Sequence, residues 1–214
     1  DVSVAMVLVA RTAALPAVSA GDCHPLVCDL ATADDLADVL NQQSNSAAAR
    51  LITFFGMIPN FEPQLILPRL AALLRTPDHL LFSANLAPGP DYTWGVRRIL
   101  PLYDNELTRD WLMTFLRDLG VEDDDGKLRF SIGDDPDGSG LKRVVANFHF
   151  NRPRGIRLDE ESFDFRINDS IRLFFSYRHT PDRVRALLGG HGLKVLEQWI
   201  TKSEEEGVFL CRRE

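Results

Sequence analysis

Between His24 and Leu86 the chain alternates short apolar runs with longer segments whose apolar residues recur at helical spacing, and this alternation narrows the possible folds more than any other feature. "HPLVCDL" (His24–Leu30) reads as a strand closing on Asp29, and "TADDLADVL" behind it as a helix whose acidic first turn suits the macrodipole. "RLITFFGMIPNF" predicts a strand through Phe55 and a turn at Gly56, followed by an apolar-faced helix in "EPQLILPRLAALLR". Pro63 fits the first turn of that helix, whereas Pro68 demands a kink or a place in an early turn. "DHLLFSANL" is a continuous apolar run of the kind buried on both faces of a sheet. Strands and helices in this order argue for an α/β fold: a parallel sheet covered on both faces, with ligands bound off the carboxyl ends of its strands.

The flanking segments extend the pattern. Ser3 is placed to cap a helix carrying Val4, Val7, Leu8 and Leu15 on one face. From Ala87 the rhythm breaks. "LYDNELTRDWLMTFLRDLG" predicts a helix with Leu107, Trp111, Leu112, Phe115, Leu116 and Leu119 on one face and Gly120 as its stop. "VEDDDGKLRFSIGDDPDGSGLKRVV" is acidic and turn-rich around a short strand, and "RVVANFHFN" alternates in strand fashion. "IRLFFSYRHT" reads as a strand returning to the sheet and leading into the helix "PDRVRALLGGHG", after which "LKVLEQWI" and "GVFLCRR" form a closing antiparallel pair. Residues 87–178 thus read as an α+β subdomain inserted into a core made of residues 1–86 and 179–214.

Composition excludes several classes of function. With 214 residues, 45% hydrophobic and 26% charged, the chain is long and apolar enough to bury a sizeable core. A net charge of −7 lacks the basic footprint of a nucleic-acid partner. Three cysteines and five scattered histidines fall at no zinc-binding spacing, so no metal is assigned. Buried thiols and the lack of a bilayer-length apolar run argue for a cytoplasmic protein without membrane contact. P-loop, HExxH, GxSxG and GxGxxG motifs are all missing, and with them the usual signatures of phosphoryl transfer, zinc proteolysis, ester hydrolysis and dinucleotide-dependent oxidoreduction. What remains are polar residues at strand ends. A carboxylate where Asp1 stands can accept hydrogen bonds from both hydroxyls of a ribose. Asp29 can meet an adenine amino group or cap the helix behind it. Read alone, Asn60 is a turn residue after a proline and Tyr103 a half-buried aromatic.

The segments "VSVAMVLVAR", "HPLVCDL", "LITFFGMIPNFEP", "LPRLAALLRTPDHLLFSANL" and "LYDN" together resemble the S-adenosylmethionine-dependent methyltransferases of the histidine-specific type, the ergothioneine-pathway family. The resemblance runs over nearly the whole chain, with "FFGMIPNF" and "LYDN" its most specific parts. It implies a Rossmann-like class I methyltransferase sheet, mostly parallel with a C-terminal antiparallel pair, and a substrate-binding insertion. It also implies S-adenosylmethionine as cofactor, with Asp1 on the ribose, Asp29 and Leu30 on the adenine side, and Phe55 and Gly56 beside the cofactor. On the substrate side it implies Asn60 at the amino-acid end, Tyr103 from the insertion, and Ser176 and Phe174 near the last helix. The chain departs from the family pattern at Pro59, in a segment one residue shorter, and at Phe174, where histidine-recognising members carry Glu. Those departures point to an amine or amino-acid-like small molecule other than histidine. The family's glycine-rich loop would lie ahead of Asp1, so the resemblance further implies a fragment with impaired cofactor binding that self-associates into a homo-oligomer. The alternative is a catalytically inactive methyltransferase-like protein acting in protein contacts.

Overall fold

The computed structural model describes residues 1–43 and 48–214. Its central sheet has four strands: β1 (Leu51–Phe54), β2 (His79–Asn85), β8 (Leu193–Ile200) and β9 (Glu206–Arg213), in the order β1-β2-β9-β8. β1 and β2 run parallel, with Phe54 opposite Phe82. β9 enters antiparallel between β2 and β8, so β8 points the same way as β1 and β2. The closing antiparallel pair predicted from the sequence is therefore present.

One face of this sheet carries the core. Leu80, Phe82 and Ala84 of β2 share one side of the strand and join Phe209 and Cys211 of β9, the Phe82 and Phe209 rings stacking at 5.4 Å. Onto them α3 (Pro63–Leu73) lays Ile66, Leu67, Leu70 and Leu73, and α6 (Pro181–Gly189) lays Val184 and Leu188. Each such aliphatic side chain contributes roughly 1.5–3 kcal/mol on burial. Pro63 opens α3, and Pro68 sits inside it on the exposed side. The opposite face of the sheet, with Leu81, Val208 and Leu210, is only partly buried, in contrast to the two-sided cover expected. At the other end of the parallel strands, fully buried Asp78 accepts from Arg50 Nη2 at 2.6 Å and from Arg75 N at 2.8 Å, pinning the starts of β1 and β2 together.

A second antiparallel sheet, order β3-β4-β7, comprises β3 (Gly126–Asp134), β4 (Lys142–Phe150) and β7 (Ser170–Arg178), with the hairpin of β5 (Arg154–Leu158) and β6 (Glu161–Phe165) beside it. It holds its own core of Leu112, Met113 and Leu116 against Leu128, Ala146, Phe148 and Phe150. Here the structure corrects several expectations. "IRLFFSYR" does not return to the central sheet but pairs with β4, because Ile171, Leu173 and Phe174 pack on the core of the second sheet. Only a parallel bridge from Leu86 to His179 ties its end to the central sheet. The break after Ala87 contains a further helix, α4 (Tyr92–Tyr103), capped by Asp91, whose Oδ1 accepts from Trp94 N at 2.7 Å. "LYDN" is the junction where α4 ends and α5 (Glu106–Asp118) begins, with Asn105 as the new cap. Among the residues of the expected α5 face, Leu112 and Leu116 are buried, with Met113, while Leu107, Trp111 and Phe115 are exposed.

The N-terminal expectations are met only in part. The first helix, α1 (Val4–Ala14), does follow Ser3, whose Oγ accepts from Met6 N at 3.3 Å, but it buries no residue. His24–Leu30 is not a strand. Its Leu26 and Val27 are exposed, and Cys28 N donates to Asp1 O at 3.1 Å without any ladder forming. An apolar run needs a neighbouring strand to become one, and none of the described residues supplies it. The next helix, α2 (Leu36–Gln43), starts four residues later than "TADDLADVL" predicts and packs Leu36, Ala37 and Leu40 on the central core. Among the described residues no helix is long and apolar enough to cross a membrane.

Candidate functional site

The carboxyl ends of β1 and β2 open onto the second sheet, and the turn after β1 is built to reach it. Gly56 has φ +71°, a left-handed conformation that a side chain strains, and nothing lies within 4 Å of where its Cβ would stand. Its N–H donates to Ser83 Oγ at 2.9 Å, tying the end of β1 to β2, while Phe55 beside it is half exposed. The chain then makes one 3-10 turn, Ile58–Asn60, in which Pro59 sits at a position that needs no backbone donor. Asn60 closes the turn and donates from Nδ2 to Phe175 O of β7 at 2.7 Å.

Two residues beyond Asn60, Glu62 is clamped to the same strand. Its carboxylate accepts from Arg143 Nη1 at 3.0 Å and lies against the hydroxyl of fully buried Tyr177, which also meets Asp135 Oδ1 at 2.6 Å. Burial, with Asp135 and Glu62 alongside, pushes the Tyr177 phenol far above its ordinary range. Burial would raise the Asp135 carboxyl, but hydrogen bonds from Ser139 and Tyr177 outweigh it and hold the group low. Carboxylate oxygens of Glu62, Asp135 and Asp137 come within 4.8 Å of one another, a spacing that could hold a cation. Arg143 and Tyr177 already face two of the three, so the cluster acts as a clamp that fixes the Asn60–Glu62 turn on β7.

On the other face of β7, Phe174, Ser176 and Arg178 share one side of the strand by alternation. Tyr103, the last residue of α4, stands over them. Its hydroxyl is 3.1 Å from Ser176 Oγ and receives a hydrogen bond from Arg178 Nη2, and its ring centroid is 5.5 Å from that of Phe174. Asn85, at the carboxyl end of β2, donates from Nδ2 to both Tyr103 Oη and Ser176 Oγ at 3.3 Å. The structure thus gathers Asn60, Tyr103, Phe174 and Ser176 along β7 and joins them to the sheet end at Asn85 and Gly56. Sequence reasoning missed Asn85, Arg178 and Glu62. The available signal was their position, Arg178 two residues past Ser176 in a strand and Asn85 closing "LLFSAN".

The remaining predicted positions lie apart from this cluster. Exposed Asp1 uses Oδ1 to accept from Ser3 N at 2.7 Å. Exposed Asp29 accepts from Ala31 N at 2.9 Å within a turn that ends before α2 begins at Leu36, so it does not cap that helix, and Leu30 packs on the central core rather than facing outward. His179, at the end of β7, is buried and its imidazole is pushed down to about 4 by that burial. It borders a cavity of about 20 Å³ lined by Ile58, Ile66, Phe82 and Val184.

No family model and no curated protein matches the chain. Among solved structures it is similar over its whole length to an S-adenosylmethionine-dependent methyltransferase from Clostridium acetobutylicum, at 13% identity and a TM-score of 0.44 over 73% of that chain. It is also similar to the CcbJ methyltransferase from Streptomyces caelestis, at 9% identity and a TM-score of 0.44 over 78% of that chain. A third is the glycopeptide N-methyltransferase MtfA complexed with S-adenosyl-L-methionine, at 12% identity and a TM-score of 0.41 over 75% of that chain.

Proposed function

We propose that the chain is an S-adenosylmethionine-dependent methyltransferase that methylates a nitrogen of a small amine or amino-acid-like molecule other than histidine. In this reading residues 1–86 and 179–214 form the cofactor-side core and residues 87–178 the substrate subdomain. One observation carries it: at the carboxyl end of β2, Asn85 is hydrogen-bonded to Tyr103 and Ser176, which the family resemblance marks for substrate, and the turn after β1 fixes Asn60 on β7 between Phe174 and Ser176. Ligands of open α/β sheets bind at such ends.

The residues beside the turn fit a cofactor edge. Gly56 leaves open space where any side chain would intrude, and the half-exposed Phe55 ring offers an apolar surface next to it. Asp1 for the ribose, and Asp29 with Leu30 for the adenine side, complete the proposed set. When bound, the cofactor supplies an electrophilic methyl group on a sulfonium centre. The chain's own part is orientation, since a neutral amine needs positioning more than a strong base. One hydrogen of Asn60 Nδ2 is held by Phe175 O, which fixes the amide so that Oδ1 can serve as an acceptor suited to an amine N–H. Phe174 against the Tyr103 ring gives an apolar wall where a carboxylate would pair with an imidazole.

The test is transfer of labelled methyl from S-adenosylmethionine to a panel of small amines and amino acids. The reading expects incorporation into at least one nitrogen substrate other than histidine, reduced by about a hundredfold in Asn60→Ala, the scale of a lost positioning contact. No incorporation into any amine, alongside full binding of the cofactor, would refute the substrate class.

A further inference from the structure

The donor and acceptor count at Tyr103 decides what this side of the site can hold. Arg178 Nη2 and Asn85 Nδ2 can only donate, and both reach the Tyr103 hydroxyl. With both lone pairs of the phenol engaged, its hydrogen is directed at Ser176 Oγ. Ser176 Oγ accepts from Asn85 as well, so its own hydrogen is the one left to donate. The Ser176 hydrogen and the second hydrogen of Arg178 Nη2 are therefore the donors this cluster leaves free, and among the described residues no side-chain carboxylate takes either.

Arg178 gives this donor surface its charge. The residue is 5% exposed, yet among the described residues no carboxylate pairs with it. Nη1 reaches only the backbone oxygens of Leu86 and Glu205, at 3.3 and 3.4 Å, and Nε has no hydrogen-bond partner. The Glu205 side chain acts on it through space, outside ion-pair range. Buried guanidinium groups are as a rule paired with an anion, because removing the charge from water is costly. Arg143, the other deeply buried arginine, follows that rule by pairing with Glu62. Above Arg178 and Ser176, Tyr103 and Phe174 are only half buried, so the cluster is approached from their side.

We propose that Arg178 and Ser176, held in place by the Tyr103 hydroxyl, form an anion subsite that receives a carboxylate of the substrate, at the opposite polarity to the acceptor offered by Asn60. The proposal rests on the reading of Tyr103 and Ser176 as the substrate side. It gives the position of Ser176 a partner reverse to the one the histidine-type resemblance implies, an anion in place of an imidazole.

Three probes of one shape and different charge test it: benzoate, benzamide and benzylamine, each titrated calorimetrically into the full chain. Benzoate is expected to bind at least about tenfold more tightly than benzamide, the scale of a charge-assisted hydrogen bond, with benzylamine weakest. Arg178→Gln should bring benzoate to the benzamide level and leave benzamide unchanged, whereas Arg178→Lys should keep part of the preference. Equal affinities, benzylamine as the tightest probe, no benzoate binding, or a preference that survives Arg178→Gln would each overturn the proposal. Should Arg178→Gln fail to fold, the order of the three probes on the unaltered chain and on Arg178→Lys decides. S-adenosylmethionine is titrated in parallel. Benzoate selectivity without cofactor binding leaves the subsite standing and removes the methyltransferase reading, and cofactor binding without selectivity does the reverse.

Discussion

Asn60 Nδ2 lies 2.7 Å from the backbone oxygen of Phe175, and this bond carries the turn after β1 onto the strand that holds Phe174, Ser176 and Arg178. Residues 115 positions apart in sequence are thereby fixed in one site. Asn60→Asp replaces the donor by an acceptor facing a carbonyl. The expected cost is about 1 kcal/mol of stability from the lost hydrogen bond, with added repulsion, and a much larger relative loss of turnover. Chemical denaturation and methyl-transfer rates on the same preparation separate the two. An equal fall in both would assign Asn60 to the fold alone.

Gly56→Ala isolates a backbone requirement. Nothing stands within 4 Å of the added methyl, so the cost comes from the +71° φ alone and should be about 1–2 kcal/mol. Urea unfolding measures it. A neutral substitution would mean that the turn relaxes to a negative φ.

Stability should fall with acid in two separate windows. His179 is buried with its imidazole lowered from near 6.5 to about 4, so the unfolded chain binds a proton that the folded one refuses. Its contribution is whole at neutral pH and is lost as pH falls from about 6.5 to about 4. The Asp78 carboxyl, raised by burial but lowered further by hydrogen bonds from Arg75 and Arg50, sits far below its ordinary value. Its contribution is whole above about pH 4 and fades below that. Denaturation midpoints measured from pH 7 to pH 3 check this, and His179→Gln should flatten the upper window only.

Asp78→Ala leaves Arg50 and Arg75 facing each other without the carboxylate between them. Breaking a buried ion pair of this kind costs about 3–5 kcal/mol. A fall in thermal midpoint of only a degree or two would show that the arginines find other partners.

Exposed apolar surface predicts association. Leu107, Trp111 and Phe115 recur at four-residue intervals on the outer face of α5, Val4 and Leu8 do so on α1, and among the described residues β1 is paired along one edge only. Sedimentation velocity should show concentration-dependent self-association. A monodisperse monomer at every concentration would contradict it.

What the sequence disclosed and what it concealed follow from how each residue carries its signal. β1, β2, β8, β9 and α3 were legible because apolar runs and helical spacing report burial directly. α4 was not, because it carries Gly95 and Pro101, residue types that weaken the helical signal. In the fold Gly95 serves a close approach, since a Cβ there would stand 2.5 Å from Pro88 O, and Pro101 falls in the last turn. The buried face of α5 was ambiguous because apolar residues run around both sides of the helix, and only the contact with β3 and β4 selects Leu112, Met113 and Leu116. In the site, Asn60, Tyr103 and Ser176 could be named through the family resemblance, but their partners could not. Asn85 and Arg178 are polar ends of apolar strands, and nothing local shows that a guanidinium from one sheet meets a phenol at the end of a helix.

The most direct test of the central claim is calorimetric titration of S-adenosylhomocysteine into the unaltered chain, Asp29→Ala and Gly56→Val. The account predicts saturable one-site binding to the unaltered chain, weakened by Asp29→Ala and abolished by Gly56→Val. No binding to the unaltered chain, or binding that Gly56→Val leaves intact, would contradict it.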